Sequence, residues 1–354
     1  MDRKVFELSD LWNENATADH VQDYNDLLGT LLMNRMGGVA YHVALKTGAL
    51  SKFPKEFKNT LRMVHKSYLE KYEKHRQNMR FLTKVFQDAS VPHSFLKGTY
   101  LSLKTYPAGT RVSNDYDILI DQKDITAIQE ILLQNGFEQG HYSETYGFMK
   151  SSRAEIIRAR TQFGQTIPFF KEQDGNGILM DLNFSLDYKA KQEDDIIKKM
   201  LDARVRVDVD NDISFYTLDP ADFVIHLCCH LFKEATTYNW LENNTDLSLY
   251  KFSDFNVYLV QNGNPEFFEK LKNRICEFQL NNVCYYAFKN SAVLFPGMDG
   301  IEGFQEFLDE IKPENVDFMN EIIWPAEKKK YRFHMDFKEW FQCSNRLAQL
   351  EEIL

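Results

Sequence analysis

Cysteine is scarce here and badly spaced for metal or disulfide work. Cys228, Cys229, Cys276, Cys284 and Cys343 are odd in number and include no Cys-x-x-Cys pair. Neither a disulfide framework nor a zinc cage is indicated, and the five are expected to be buried thiols. Long apolar runs are missing as well. No stretch approaches the roughly 20 residues that span a bilayer, and acids stand where a signal peptide would carry its apolar core. Both features predict a cytoplasmic protein with no membrane partner. Positive charge is not in excess either. The net charge of −10 argues against bulk nucleic acid as a partner, since that binding rests on neutralising phosphates. No internal repeat, low-complexity tract, Gly-x-Gly-x-x-Gly, P-loop, Ser-His-Asp or Cys-His signature is visible.

What is present is a chain of 354 residues, rich in Phe and Tyr and 27% charged, which argues against disorder and leaves room for two or three domains. The pattern from His20 to Gly48 is helical with an interruption at Gly37-Gly38, and Pro54 opens a longer helix reaching about Ala89. Met63, Tyr68, Tyr72, Met79, Leu82 and Phe86 recur at helical spacing and predict its inward face, whereas the charged run from Lys66 to Arg76 predicts a solvated one. Val91 to Leu96 predicts a short strand, and Lys123 to Asn135 an amphipathic helix with Gly136 at its C-terminal cap. The stretch from His141 to Thr166 is irregular. Two apolar runs, Thr166 to Phe170 and Ile178 to Phe184, flank Asp174-Gly175-Asn176-Gly177 and predict a hairpin. A further strand is expected over Val205 to Val209, then a core helix from Pro220 to about Glu234. Everything from Phe252 to the end is expected to be helical, broken near Gly263, Pro296-Gly297, Pro313 and Pro325. The expected division is 1–89 helical, 90–215 an α+β core, and 216–354 helical, with the active site in a cleft between core and helices.

Chemistry concentrates on Gly109 to Ile120. Asp115 and Asp117 stand two residues apart ahead of an aliphatic run, so on a strand both carboxylates leave the same face. Such a pair is costly without a cation. Asp181, alone inside the aliphatic Ile178 to Phe184 run, also needs a partner. Three carboxylates from two strands can hold a pair of Mg²⁺ ions about 3.5 to 4 Å apart, which suits displacement at phosphorus. Asp115 and Asp117 would bridge both ions, and Asp181 would hold the ion that activates the attacking hydroxyl. Gly98-Thr99, at the start of a short helix, offers backbone N–H groups and a hydroxyl to a triphosphate. The plainer alternative is that Asp115 caps a strand while Asp117 pairs with Arg111 or a nearby Lys.

Hydrophobic-Gly-Thr, then Asp-x-Asp, then a later strand acid resembles the nucleotidyltransferase superfold of the DNA polymerase β type. Leu96-Lys97-Gly98, Tyr106-Pro107, Arg111, Asn114-Asp115-Tyr116-Asp117-Ile118-Leu119-Ile120 and the helix ending Asn135-Gly136-Phe137 are similar to the bacterial family of uncharacterised nucleotidyltransferases. The close resemblance covers about Asn78 to Phe137. It implies a mixed-sheet core and Mg²⁺-dependent transfer of a nucleoside monophosphate from an NTP, ATP among them, with release of pyrophosphate. Mn²⁺ could stand in for Mg²⁺. The superfold's usual Ser is Thr99 here, and Lys97 stands where a small or apolar residue is more common. Lys97 and Arg111 are candidates for triphosphate contact. Asn114 could orient Asp115, or simply turn the chain. The acceptor is a small molecule or a polypeptide, and Asp181 the expected base toward it. The rival reading is a non-catalytic nucleotide- or peptide-binding protein that keeps the fold. His226 and His230, four apart on one helix, read as core histidines rather than ligands, and Lys328-Lys329-Lys330-Tyr331-Arg332 as a solvated face.

Overall fold

The computed structural model describes residues 3–143, 145–162, 166–186 and 195–354. In chain order, α1 (Arg3–Ser9), α2 (Tyr24–Met33) and α3 (Gly37–Lys46) precede the 32-residue α4 (Lys55–Phe86), which starts directly after Pro54. β1 (His93–Phe95) leads into the four-residue α5 (Lys97–Tyr100), continued by a π-helical turn over Leu101–Thr105. Then follow β2 (Tyr116–Ile120), α6 (Ile125–Gln134), β3 (Glu138–Ser143), β4 (Gly147–Lys150), α7 (Arg153–Gln162), β5 (Phe169–Gln173) and β6 (Asn176–Asn183). After them come α8 (Ile196–Asp202), β7 (Val205–Asp208), β8 (Ser214–Thr217) and α9 (Pro220–Ala235). Three short strands, β9 (Glu321–Trp324), β10 (Lys329–Arg332) and β11 (Glu351–Glu352), stand among the helices that follow. The fold is a mixed α+β one, with two compact units: Tyr68–Phe223, and Met1–Ser67 together with Val224–Leu354.

The unit Tyr68–Phe223 is built on an eight-stranded sheet in the order β4-β3-β5-β6-β2-β1-β8-β7. β2 runs parallel to β6 and β1 parallel to β8, and the other neighbours are antiparallel. The β5–β6 turn is Asp174-Gly175, both with positive φ (52° and 74°), the mirror-image geometry that Asp-Gly favours. Asn176 and Gly177 are already paired with Gln173 and Glu172. Along β6, Ile178, Met180 and Leu182 are wholly buried, while Leu179, Asp181 and Asn183 are half-buried on the opposite face. The first set joins one core with Met79, Leu82 and Phe86 of α4, Ile125, Ile128 and Leu132 of α6, and Phe95, Tyr116, Ile118 and Ile120. Each such side chain contributes about 1.5–3 kcal/mol on burial.

The unit Met1–Ser67 with Val224–Leu354 is mainly helical, but β9, β10 and β11 form a small antiparallel sheet where only helix was expected. The basic run is one of its strands. Lys330 and Arg332 both pair with Glu321, and Lys329 pairs with Glu352 at 2.9 Å, so that charge is largely spent internally. Asp246, fully buried, is held by Arg346 at 2.6 Å.

Several expectations need correction. The break between α2 and α3 falls at Asn34–Met36, where Arg35 has φ 57°, and Gly37-Gly38 begin α3 rather than interrupt it. Met63 is 72% exposed: Phe57 and Leu61 are the buried positions in the early turns of α4, and Met63, two residues past Leu61, falls on the far side of the helix. His75, in the run read as solvated, is buried, and Arg76 pairs with Asp210. The stretch from His141 to Thr166 contains β3, β4 and α7, with residues 144 and 163–165 outside those described. Among the thiols, Cys276 is exposed and Cys343 half-buried, leaving Cys228, Cys229 and Cys284 buried.

Candidate active site

Register brings the acids together. β2 and β6 pair with Asp117 opposite Asp181, and in a parallel pair opposite residues share a face. Asp115, two residues before Asp117, is half-buried in the bend immediately ahead of that strand. Tyr116, between them, points into the core instead. It stacks on His75 of α4 with ring centroids 4.8 Å apart and planes 3° from parallel, and it hydrogen-bonds Asn78. Burial drives the Tyr116 phenol upward, so it stays neutral. Asn78 also donates to the Gly177 carbonyl at 3.3 Å, tying α4 to the start of β6.

The carboxylates feel one another. Burial, then the charges of Asp117 and Asp115, push Asp181 up to about 7, opposed only by Lys97. Burial and Asp117 also raise Asp115, against Lys97 and Arg111. Lys97 itself sits 3.1 Å from Asp117 Oδ1, and Asn183 Nδ2 donates to the same oxygen at 3.0 Å. Among the described residues no three His, Cys, Asp or Glu side chains converge in ion-holding geometry, which fits an Asp117 oxygen engaged by these two nitrogens. The expected alternative for Asp117, pairing with a nearby Lys, is therefore realised, through Lys97.

Lys97 reaches this position from an unusual backbone conformation, with φ 38°. Gly98 is required next to it: a Cβ there would lie 2.2 Å from Ser113 Oγ. Ser113 in turn donates to the Asp115 carbonyl at 2.9 Å, and the Leu96 N–H to the Asp117 carbonyl at 3.0 Å. The Gly98 turn and the acidic strand are thus locked to each other. The Thr99 N–H donates back to Leu96 O at 3.2 Å, whereas the Thr99 hydroxyl is buried without a partner. Arg111 donates to the Val112 carbonyl and acts electrostatically on Asp115, and Asn114 is exposed in the bend before β2.

Asn183, Ser113, His75 and Asn78 were not singled out from sequence. Asn183 alone carried a usable signal, its spacing of two from Asp181 on a strand. His226 is buried and His230 lies 3.4 Å from Glu234, in keeping with structural roles. No helix among the described residues is long and apolar enough to cross a membrane. The sequence profile of a protein family described as uncharacterised nucleotidyltransferase matches residues 20–296, a span that includes every strand of the large sheet. No curated protein matches the chain.

Proposed function

The chain belongs to this nucleotidyltransferase family and is a transferase; from that premise we propose that it moves a nucleoside monophosphate from an NTP to a nucleophile, a hydroxyl or similar group, on a small molecule or polypeptide. The observation that carries the reading is Asp117 in register with Asp181 on adjacent parallel strands, with Asp115 two residues upstream. Burial and mutual repulsion already raise the proton affinity of Asp115 and Asp181, and three carboxylates are the oxygen donors a hard divalent cation takes, although here they do not converge in ion-holding geometry. Asp115, Asp117 and Asp181 would hold Mg²⁺, or Mn²⁺ in its place. The bound cation would neutralise phosphate charge and polarise the phosphoryl group.

The remaining work falls to the chain's own side chains. Asp181 takes the acceptor's proton as the acceptor oxygen attacks the α-phosphorus. The bond from that phosphorus to the pyrophosphate oxygen breaks, and pyrophosphate leaves with the electron pair. Lys97 and Arg111 supply positive charge to the triphosphate, and the unspent Thr99 hydroxyl supplies a donor. Asn183 holds the Asp117 carboxylate in orientation. A nucleotide-turnover assay with each NTP and Mg²⁺, comparing the native chain with Asp117→Asn, tests this. Equal turnover by the two proteins overturns it.

One observation favours a second reading. The Lys97–Asp117 ion pair already compensates a carboxylate without metal, as a protein that only binds a nucleotide or peptide would need. Calorimetry separates the two: nucleotide binding indifferent to Mg²⁺, and retained after Asp115→Asn with Asp117→Asn, selects the binding protein.

A further inference from the structure

A concavity lies in the unit Tyr68–Phe223, between the last turns of α4 and the β7–β8 hairpin, with a volume of about 560 Å³. Arg80 and Lys84 of α4, Arg206 and Tyr216 of the hairpin, and His93 of β1 line it. His93 pairs with Ile120 in the β1–β2 register, and Ile120 points away from the face that carries Asp117. The groove and the acids therefore occupy opposite faces of one sheet.

Its charge is out of keeping with the rest of the molecule. The chain carries −10 overall, yet three cations line this groove against one carboxylate, Asp212. Arg206 is partly engaged by Asp208 and Ser214. The side chains of Arg80 and Lys84 have no ion-pair or hydrogen-bond partner among the described residues, and four residues apart on a helix they repel each other. Like charges held together without a counter-ion attract an anion.

The groove also has directional chemistry. His93 is 3% exposed, and its Nδ1 lies 3.0 Å from the Val91 carbonyl, which places the ring hydrogen on Nδ1 and leaves Nε2 as an acceptor. Burial lowers the proton affinity of the ring, with the Val91 contact opposing and the nearby Arg204 charge adding to it. Tyr216 stands edge-on to it at 6.0 Å and is 38% exposed, offering a ring to the ligand. A volume of this size suits a small metabolite.

We propose that this groove is a binding site for a small organic phosphate that carries hydroxyl groups, its phosphate on Arg80 and Lys84 and a hydroxyl donating to His93 Nε2. Such a ligand cannot touch the acids across the sheet, so it acts as an effector rather than as acceptor or donor of the transferred group. The proposal does not depend on the transfer reading.

Calorimetric titration of the full chain with ribose 5-phosphate and with inorganic phosphate tests it, alongside three variants whose folding is checked by thermal melts. Arg80→Ala with Lys84→Ala is expected to weaken both probes tenfold or more, and added salt to weaken them in the native chain. His93→Phe is expected to weaken ribose 5-phosphate and spare inorganic phosphate. Asp115→Asn with Asp117→Asn is expected to change neither, which separates this site from the acids. Absence of saturable binding at millimolar probe overturns the proposal, as does binding that survives in the Arg80/Lys84 variant or disappears in the acid variant. Should His93→Phe not fold, the Arg80/Lys84 comparison still decides, because neither side chain is wholly buried and neither has an ion-pair or hydrogen-bond partner among the described residues.

Discussion

Replacing His75 by phenylalanine should make the fold more resistant to acid. His75 is buried against Tyr116, hydrogen-bonds the Thr99 backbone, and leaves Nε2 without a partner. Burial lowers its proton affinity from 6.5 to about 4, with the Thr99 contact working in the opposite sense. Unfolded, the same imidazole protonates near 6.5. Between these values the unfolded chain binds a proton that the folded chain refuses, so the stability tied to His75 is complete above 6.5 and is lost as pH falls toward 4. The gap, at about 1.4 kcal/mol per pH unit, amounts to roughly 3 kcal/mol. That is a large share of the about 5–15 kcal/mol by which a typical fold is stable. Phenylalanine keeps the stacked ring and cannot titrate. Urea unfolding of both proteins across this pH window gives the test, with the difference between the two curves as the readout. His93 and His42, also lowered by burial, are present in both proteins and cancel. A difference that stays constant with pH would refute the reasoning.

Two further perturbations probe the site and the helical unit. Gly98→Ala should cut nucleotide turnover at least tenfold, because the new Cβ meets Ser113 Oγ and displaces the Asp115 backbone; Ser113→Gly in the same chain should restore much of it, and failure of that rescue would locate the defect elsewhere. Arg346→Met should destabilise by about 3–5 kcal/mol, since it strands the fully buried Asp246, and adding Asp246→Asn should recover most of that in a denaturation experiment.

The parts of the fold that were legible are those where one local rule dominates. Asp174-Gly175 fixed the hairpin because both residues tolerate positive φ, and Pro54 marked the start of α4. Asp115, Asp117 and Asp181 were readable because isolated acids in aliphatic strands need a reason. What stayed hidden depends on tertiary context. The strand Lys329–Arg332 has no apolar alternation and exists through its pairing with Glu321–Trp324 and Glu351–Glu352. β3 is mostly exposed, so it lacks the apolar signal of a core strand. His75 looked solvated among lysines and glutamates, and only the position of Tyr116 shows why it turns inward. Lys97 was read as a phosphate contact; that its ammonium rests on Asp117 follows from a left-handed backbone that no spacing rule predicts.

The pairing of Asp117 with Asp181 makes length, rather than residue identity, the most protected property of β6. Sliding that strand by one position against β2 would turn Asp181 into the aliphatic layer and bring Met180 or Leu182 out among the acids. A carboxyl among Ile118 and its neighbours would cost several kcal/mol, comparable with the whole margin of stability. An inserted or deleted residue between Gly175 and Asp181 would therefore abolish the protein and not merely its chemistry. Descendants of this chain that give up transfer should do so by exchanging a carboxylate in place, and even inert ones should keep the distance from the turn to position 181 unchanged.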